Sequence, residues 1–339
     1  MNRRRFVVTS TLSMLAITVA VAGLAFYSNF AAKAFHSSLP TAISYLPADT
    51  QAVFGMNVHK FLISPAYAQL MAKSGPEIGA KLAEFTAMTG VDPSSDLTYI
   101  IAAARATQQK DSGVVIASGN FNQAKITAFI DSHETPIPVS YSGVTVLMRP
   151  ETSANGAKLE KGVAFLDQYN IALGDLDSLK AVIDAKQAPG ISNNTTLPAM
   201  VANLDPAEMF WFAGDASVLS KVPQNTPMLP SLSAIQSVFG TLDFSTPDAG
   251  VTITLSGHVT VTAKDPKAAS QLGDFARGLV ALGSLAGGQN PDLAALIAGV
   301  TITPKDNQLD ITLSIPFNLL QKLEGAKGKF GVDAPLPIK

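Results

Sequence analysis

The side chains able to do chemistry are few and scattered. The chain has four histidines and no cysteine. His36, His59, His133 and His258 all lie more than ten residues apart, so neither a His-x-His nor a His-Glu-x-x-His metal pair exists. His133 follows a run read as helical, where the helix dipole favours a basic ring. His258 alternates with Thr260 and Thr262 and is expected to face solvent. No Gly-x-Ser-x-Gly elbow marks a hydrolase, so a His–Ser–Asp site would have to assemble in three dimensions. Asp92, Asp96 and Asp111 surround one turn, and Asp175 and Asp177 form an Asp-x-Asp. Neither group is the Asp-x-Asp-x-Asp-Gly loop of a calcium site, and both stand where turns and helix starts favour carboxylates. Residues 283–288 are glycine-rich but lack the Gly-Lys-Ser/Thr ending of a phosphate loop. The sequence therefore assigns no catalytic residue, metal ligand or cofactor site, and the reading leans away from an enzyme.

The remaining candidate is apolar. Met209-Phe210-Trp211-Phe212 holds the only tryptophan, and strand alternation sends Phe210 and Phe212 one way and Trp211 the other. A strand apolar on both faces lies between two layers, or offers a groove to an apolar ligand or partner. Phe275 and Leu279, on a helix crowded with apolar residues, join Phe210, Trp211 and Phe212 as that candidate surface.

The elements that would position these residues start at the N-terminus. Arg3-Arg4-Arg5 precedes an uncharged run from Phe6 to Ala32. Phe6 to Phe26 would span about 30 Å as a helix, the thickness of a hydrocarbon core. Arginines before such a run stay in the cytoplasm, which puts the bulk of the chain outside it, periplasmic or extracellular. Residues 1–34 read as a single-pass signal-anchor, because the apolar run exceeds the core of a removable leader. Ala32-Lys33-Ala34 offers the alternative of cleavage and secretion, and the arginines loosely fit a twin-arginine signal.

Composition narrows the rest. Hydrophobic residues make up 47% and charged ones 15%, which describes a folded chain with an ample core. Without cysteine there are no disulfides. Removing Arg3, Arg4, Arg5 and Lys33 from the 24 basic residues leaves 20 against 26 acidic ones, a net charge of −6. Such an ectodomain is a poor binder of nucleic acid or of anionic headgroups.

The hydropathy pattern predicts an α+β fold: two similar units of mainly antiparallel sheet with helices packed on one face. A linker at 35–45 leads to a first unit at 46–188. The Pro-, Gly- and Asn-bearing stretch 189–199 links it to a second unit at 200–324, and 325–339 reads as a loose tail. Each unit runs strand, helix, two strands, helix, further strands, helix. A break is expected near Gly75-Pro76, and a helix is expected over 229–239.

Leu46-Pro47-Ala48-Asp49-Thr50, Thr89-Gly90-Val91-Asp92-Pro93 with Asp96-Leu97, Gly119-Asn120-Phe121, Tyr141-Ser142-Gly143-Val144-Thr145-Val146, Ala164-Phe165-Leu166-Asp167 and Ile171-Ala172-Leu173-Gly174-Asp175 form a pattern over about half the chain. In it the chain resembles an uncharacterised group of exported, N-terminally membrane-anchored bacterial proteins. The resemblance implies an architecture and a location but no activity. The function expected is a membrane-anchored, extracytoplasmic, non-enzymatic domain that binds a protein partner or an apolar ligand. An exported hydrolase and a passive structural domain of an envelope assembly are the alternatives.

Overall fold

The computed structural model describes residues 40–105, 112–133, 135–152, 158–187, 190–205, 207–216, 234–246, 252–287 and 291–326. The expected anchor, the first part of the 35–45 linker and nearly all of the tail lie outside the described residues. Among the described residues no helix is long and apolar enough to cross a membrane.

Twelve strands form one sheet in which every neighbouring pair is antiparallel. In chain order they are β1 (Thr50–Asn57), β2 (Leu97–Arg105), β3 (Gly113–Gly119), β4 (Ile137–Tyr141), β5 (Val144–Thr152), β6 (Lys158–Phe165), β7 (Asn170–Asp175), β8 (Phe210–Asp215), β9 (Ile235–Ser245), β10 (Thr254–Ala263), β11 (Val300–Lys305) and β12 (Gln308–Pro316). The spatial order is β11-β12-β10-β9-β8-β1-β2-β3-β7-β6-β5-β4. Read outward from the centre, β1-β2-β3-β7-β6 is matched by β8-β9-β10-β12-β11. Where two sheets were expected, β1 and β8 pair at the centre and make one. Phe54 sits opposite Phe212 there, Gly55 opposite Trp211.

The helices are α1 (Val58–Leu62), α2 (Pro65–Thr89), α3 (Gln123–His133), α4 (Leu176–Ala185), α5 (Leu197–Val201), α6 (Pro266–Gly287), α7 (Pro291–Ala298) and α8 (Phe317–Ala326). Their ends follow local chemistry. The Asn57 side chain accepts from Lys60 N to cap α1, and Ser64 accepts from Tyr67 N to cap α2. Gly90, at φ 69°, closes α2 in the left-handed region that glycine enters without strain. Asp175 caps α4. The break expected at Gly75-Pro76 is absent: a proline inside a helix removes one hydrogen bond, and α2 continues past it for 25 residues in all. The β4–β5 hairpin turns on Ser142-Gly143, both at positive φ, as a two-residue turn requires.

The helices do not share one face, contrary to expectation. One face of the sheet, bearing Val53, Ile101, Ile116 and Ala164, is roofed by the 3-10 turn Thr41–Tyr45, by α4 through Leu179, Val182 and Ile183, and by α5 through Leu197, Met200 and Val201. The other face, bearing Met56, Ile100, Phe210 and Val261, takes α1, the start of α2, α6, α7 and α8. The end of the 189–199 stretch forms part of the roof, with Leu197 fully buried. The helix expected over 229–239 is replaced from Ile235 on by β9, while 229–233 lie outside the described residues.

Candidate functional site

The aromatic run that the sequence singled out straddles the centre of the sheet. Phe210 and Trp211 are fully buried, on opposite faces. The Trp211 ring crosses over Gly55, whose missing side chain makes the room: a Cβ there would stand 2.2 Å from Trp211 Cε2. The indole Nε1 donates to the Tyr99 hydroxyl on β2, so one side chain ties β8 to the second strand beyond it. Burial raises the Tyr99 hydroxyl's pKa; the hydrogen bond from Trp211 opposes that, and the rise prevails. Phe210 stacks on Phe54 at 5.7 Å and meets Phe61 edge-on. Both residues are core. Phe212 and Phe275 are half-buried, and the Leu279 side chain lies outside the described residues.

Phe212 belongs to a longer feature. Register puts Leu147, Val163, Leu173, Val115, Ala102, Phe54 and Phe212 in one row across seven adjacent strands, on one face. All seven are half-buried. One residue along each strand, on the opposite face, Val146, Ala164, Ala172, Ile116 and Ile101 are each 0% exposed beneath α4. Along this row the strands are therefore fully excluded from water on one side and only half-buried on the other, with apolar side chains on both.

The α2–α3 pair bounds the open side. α2 enters the core of this face through Ala66 and Tyr67, and α3 packs on α2; both lie less closely against the strands than α4 and α6 do. Between Tyr67 and Met88 no described side chain is fully buried, and none is in α3. Leu70, Ile78, Leu82, Phe85, Ile126, Phe129 and Ile130 are half-buried like the row below them. Single-sequence reasoning did not pick out this region. Its signal is that Val163-Ala164-Phe165 and Ile171-Ala172-Leu173 are apolar at every position, which asks for a layer on each side.

The polar groups behave as structure. Asp92 accepts from the Ser94 amide and hydroxyl, and these bonds lower its pKa, the hydroxyl foremost. Asp96 accepts from Asp92 N, while Asp111 lies outside the described residues. Burial alone would raise the Asp175 pKa, but donation from Ser178 N, Ser178 Oγ, Gly113 N and Ser112 Oγ outweighs it and the carboxyl is lowered. His133 meets the Phe129 ring at a tilt of 40° at the end of α3. His36 lies outside the described residues. Among the described residues no group of three His, Cys, Asp or Glu side chains could hold a metal ion.

One His–hydroxyl–carboxylate cluster does form. His258 Nε2 lies 3.4 Å from Thr260 Oγ1 and 3.7 Å from Asp310 Oδ1, and Thr260 donates to Asp310 at 2.9 Å. Hydroxyl and carboxylate thus meet the same ring nitrogen. A relay needs the hydroxyl on one nitrogen and the carboxylate on the other. This arrangement does not activate Thr260.

No family model and no curated protein matches the chain. Among solved structures it is similar to TP0453 in three crystal forms. Form III gives a TM-score of 0.47 at 11% identity, and form I 0.45 at 9%, each covering 86% of this chain and 99% of that one. Form IV gives 0.43 at 11%, covering 84% and 97%. The likeness is a loose one of chain trace, and no function follows from it.

Proposed function

We propose that the chain is a membrane-anchored, extracytoplasmic binding domain, not an enzyme, and that it takes an apolar ligand between the α2–α3 pair and the apolar row of β1–β3 and β5–β8. The contrast between the two faces of the same strands supports the reading. On the roofed side an aliphatic row is fully excluded from water; on the other an apolar row is left half-buried beside the half-buried apolar side chains of α2 and α3. Burying the open row would release about 25 cal/mol per Å², so leaving it open has a cost that a ligand would recover. Arg3 to Arg5 before the Phe6–Phe26 run support the location. The matched strand orders support reading the two halves as copies of one unit. The candidate set Phe210, Trp211, Phe212, Phe275 and Leu279 is narrowed to Phe212, as the end of the row.

Titration of the full-length protein with the apolar fluorophore N-phenyl-1-naphthylamine tests the ligand. A saturable, one-to-one rise in emission is expected. Val163→Trp should abolish it by filling the gap, while the melting temperature stays within a few degrees. Non-saturable emission, or binding indifferent to Val163→Trp, refutes the proposal. A phosphatase fused at the C-terminus should be active, and a fluorescent protein that matures only in the cytoplasm should be dark; the reverse refutes the topology.

A further inference from the structure

The roofed face also carries a cleft, and its chemistry is polar. The floor comes from three strands: Phe239, Gly240 and Thr241 on β9, His258 and Thr260 on β10, and Gln308 at the start of β12. The wall is the loop after α5, with Asn203, Leu204 and Asp205. The cleft is half-open, with a volume of about 430 Å³, within the range of about 300–1,000 Å³ for small-molecule sites.

The cleft exists because the two halves treat their last helix differently. After β7, α4 turns onto the face bearing Ile116 and continues the roof that α5 completes. After β12, α8 turns onto the opposite face through Phe317 and Leu319. Among the described residues the roof therefore stops at α5. Beyond that step β9, β10 and β12 present Thr241, Ser256, His258, Thr260, Asp310 and Thr312, a polar surface that does not need covering.

The lining selects its ligand. It contains no Lys or Arg, so it offers no countercharge to a phosphate or sulfate. It offers the planar amides of Asn203 and Gln308, the carboxylate of Asp205, the hydroxyls of Thr241 and Thr260, and the imidazole of His258, beside the half-buried ring of Phe239. Thr260, only 4% exposed, gives its proton to Asp310 and keeps its oxygen 3.4 Å from His258 Nε2, which holds the imidazole in place on the floor. Planar groups that each span two adjacent hydroxyls, together with an aromatic floor for a C–H face, fit a saturated polyhydroxylated ring. We infer that this cleft binds a neutral saccharide of one or two rings. It lies on the opposite face of the sheet from the apolar row, so the two readings fail independently.

The full-length protein should be titrated by calorimetry with maltose, cellobiose and N,N′-diacetylchitobiose, in parallel with spermidine and glucose 6-phosphate. Trp211, whose direct neighbour across the β8–β9 pair is Thr241, gives a second, optical readout. At least one of the three neutral sugars should bind saturably with one site, undisturbed by N-phenyl-1-naphthylamine. Gln308→Ala and Thr241→Val, both on the floor, should each weaken it by about tenfold, the loss of one or two hydrogen bonds, at an unchanged melting temperature. Absence of saturable heat from all three sugars at about 20 mM, a millimolar affinity being already weak, overturns the inference. So does sugar binding that both variants leave intact, or spermidine or glucose 6-phosphate binding where neutral sugars do not.

Discussion

Lys60→Ala should destabilise the protein by about 3–5 kcal/mol, although it removes a single side chain from the short helix α1. Lys60 is only 8% exposed. Its Nζ donates to Ala207 O at 2.6 Å and lies 3.3 Å from both Glu208 Oε2 and Asp243 Oδ2. At an effective dielectric of ~20, each of those carboxylates attracts the ammonium by about 5 kcal/mol. Desolvation of the three groups offsets most of that while the cluster is intact. Truncation removes the attraction but leaves Asp243 buried, and this asymmetry sets the expected cost. The contact also crosses the centre of the molecule, from the first half to β9 and the approach to β8. Urea denaturation followed by Trp211 emission is the assay. With m of about 3 kcal/mol/M, the midpoint should fall by about 1–1.7 M. The pair Lys60→Met with Asp243→Asn should recover most of the loss, because the more buried carboxylate charge is then gone too and only the more exposed Glu208 stays charged. A midpoint within about 0.3 M of the parent for Lys60→Ala, about 1 kcal/mol, would refute the reasoning.

Gly55→Ala drives a methyl group into the Trp211 ring and should cost about 1–3 kcal/mol with an altered Trp211 emission; parental stability and emission would contradict the described packing. Burial, ahead of its bond to Asp167, holds the Tyr45 hydroxyl above its ordinary range, as burial does for Tyr99. Both contributions are present below the unfolded tyrosine pKa of about 10 and are lost as pH rises past it, so the midpoint should fall above pH ~10. Tyr45→Phe with Tyr99→Phe should flatten that fall, and an unchanged slope in urea titrations across this range refutes the assignment. The lowered Asp175 carboxyl contributes above the unfolded pKa of about 3.9, and the contribution is lost as pH falls below it. Asp175→Ala should therefore cost about 1–2 kcal/mol at neutral pH and progressively less below pH 4, measured as paired midpoints.

How far the sequence carried can be judged from single elements. Asp175 is a local signal of a helix start, and α4 begins there. Ile235 to Phe239 was misread because its apolar spacing also fits a helix; pairing with β8 and β10 decides for a strand, and such pairing leaves no local trace. The side on which α4 and α8 pack follows from the direction each takes on leaving its strand. That choice made the polar cleft, so no motif in 203–205 or 239–241 announced it. His258 was legible as solvent-facing from its alternation with Thr260, and its side chain is 56% exposed. Its company with Asp310 was not, since the two meet only through the β10–β12 register.

The central pairing has a consequence for the order of synthesis. Phe54 finds its partner at position 212, so β1 has no neighbour on that side until β8 has been made. In the interval the growing chain carries an open edge of unpaired amides and carbonyls. The strand that finally closes it holds the place in the second half that β1 holds in the first. The edge is thus shaped for something like itself, and a second copy of β1, running antiparallel with Phe54 set against Phe54, would satisfy it. A chain that stops before Phe210 should therefore tend to self-associate through β1.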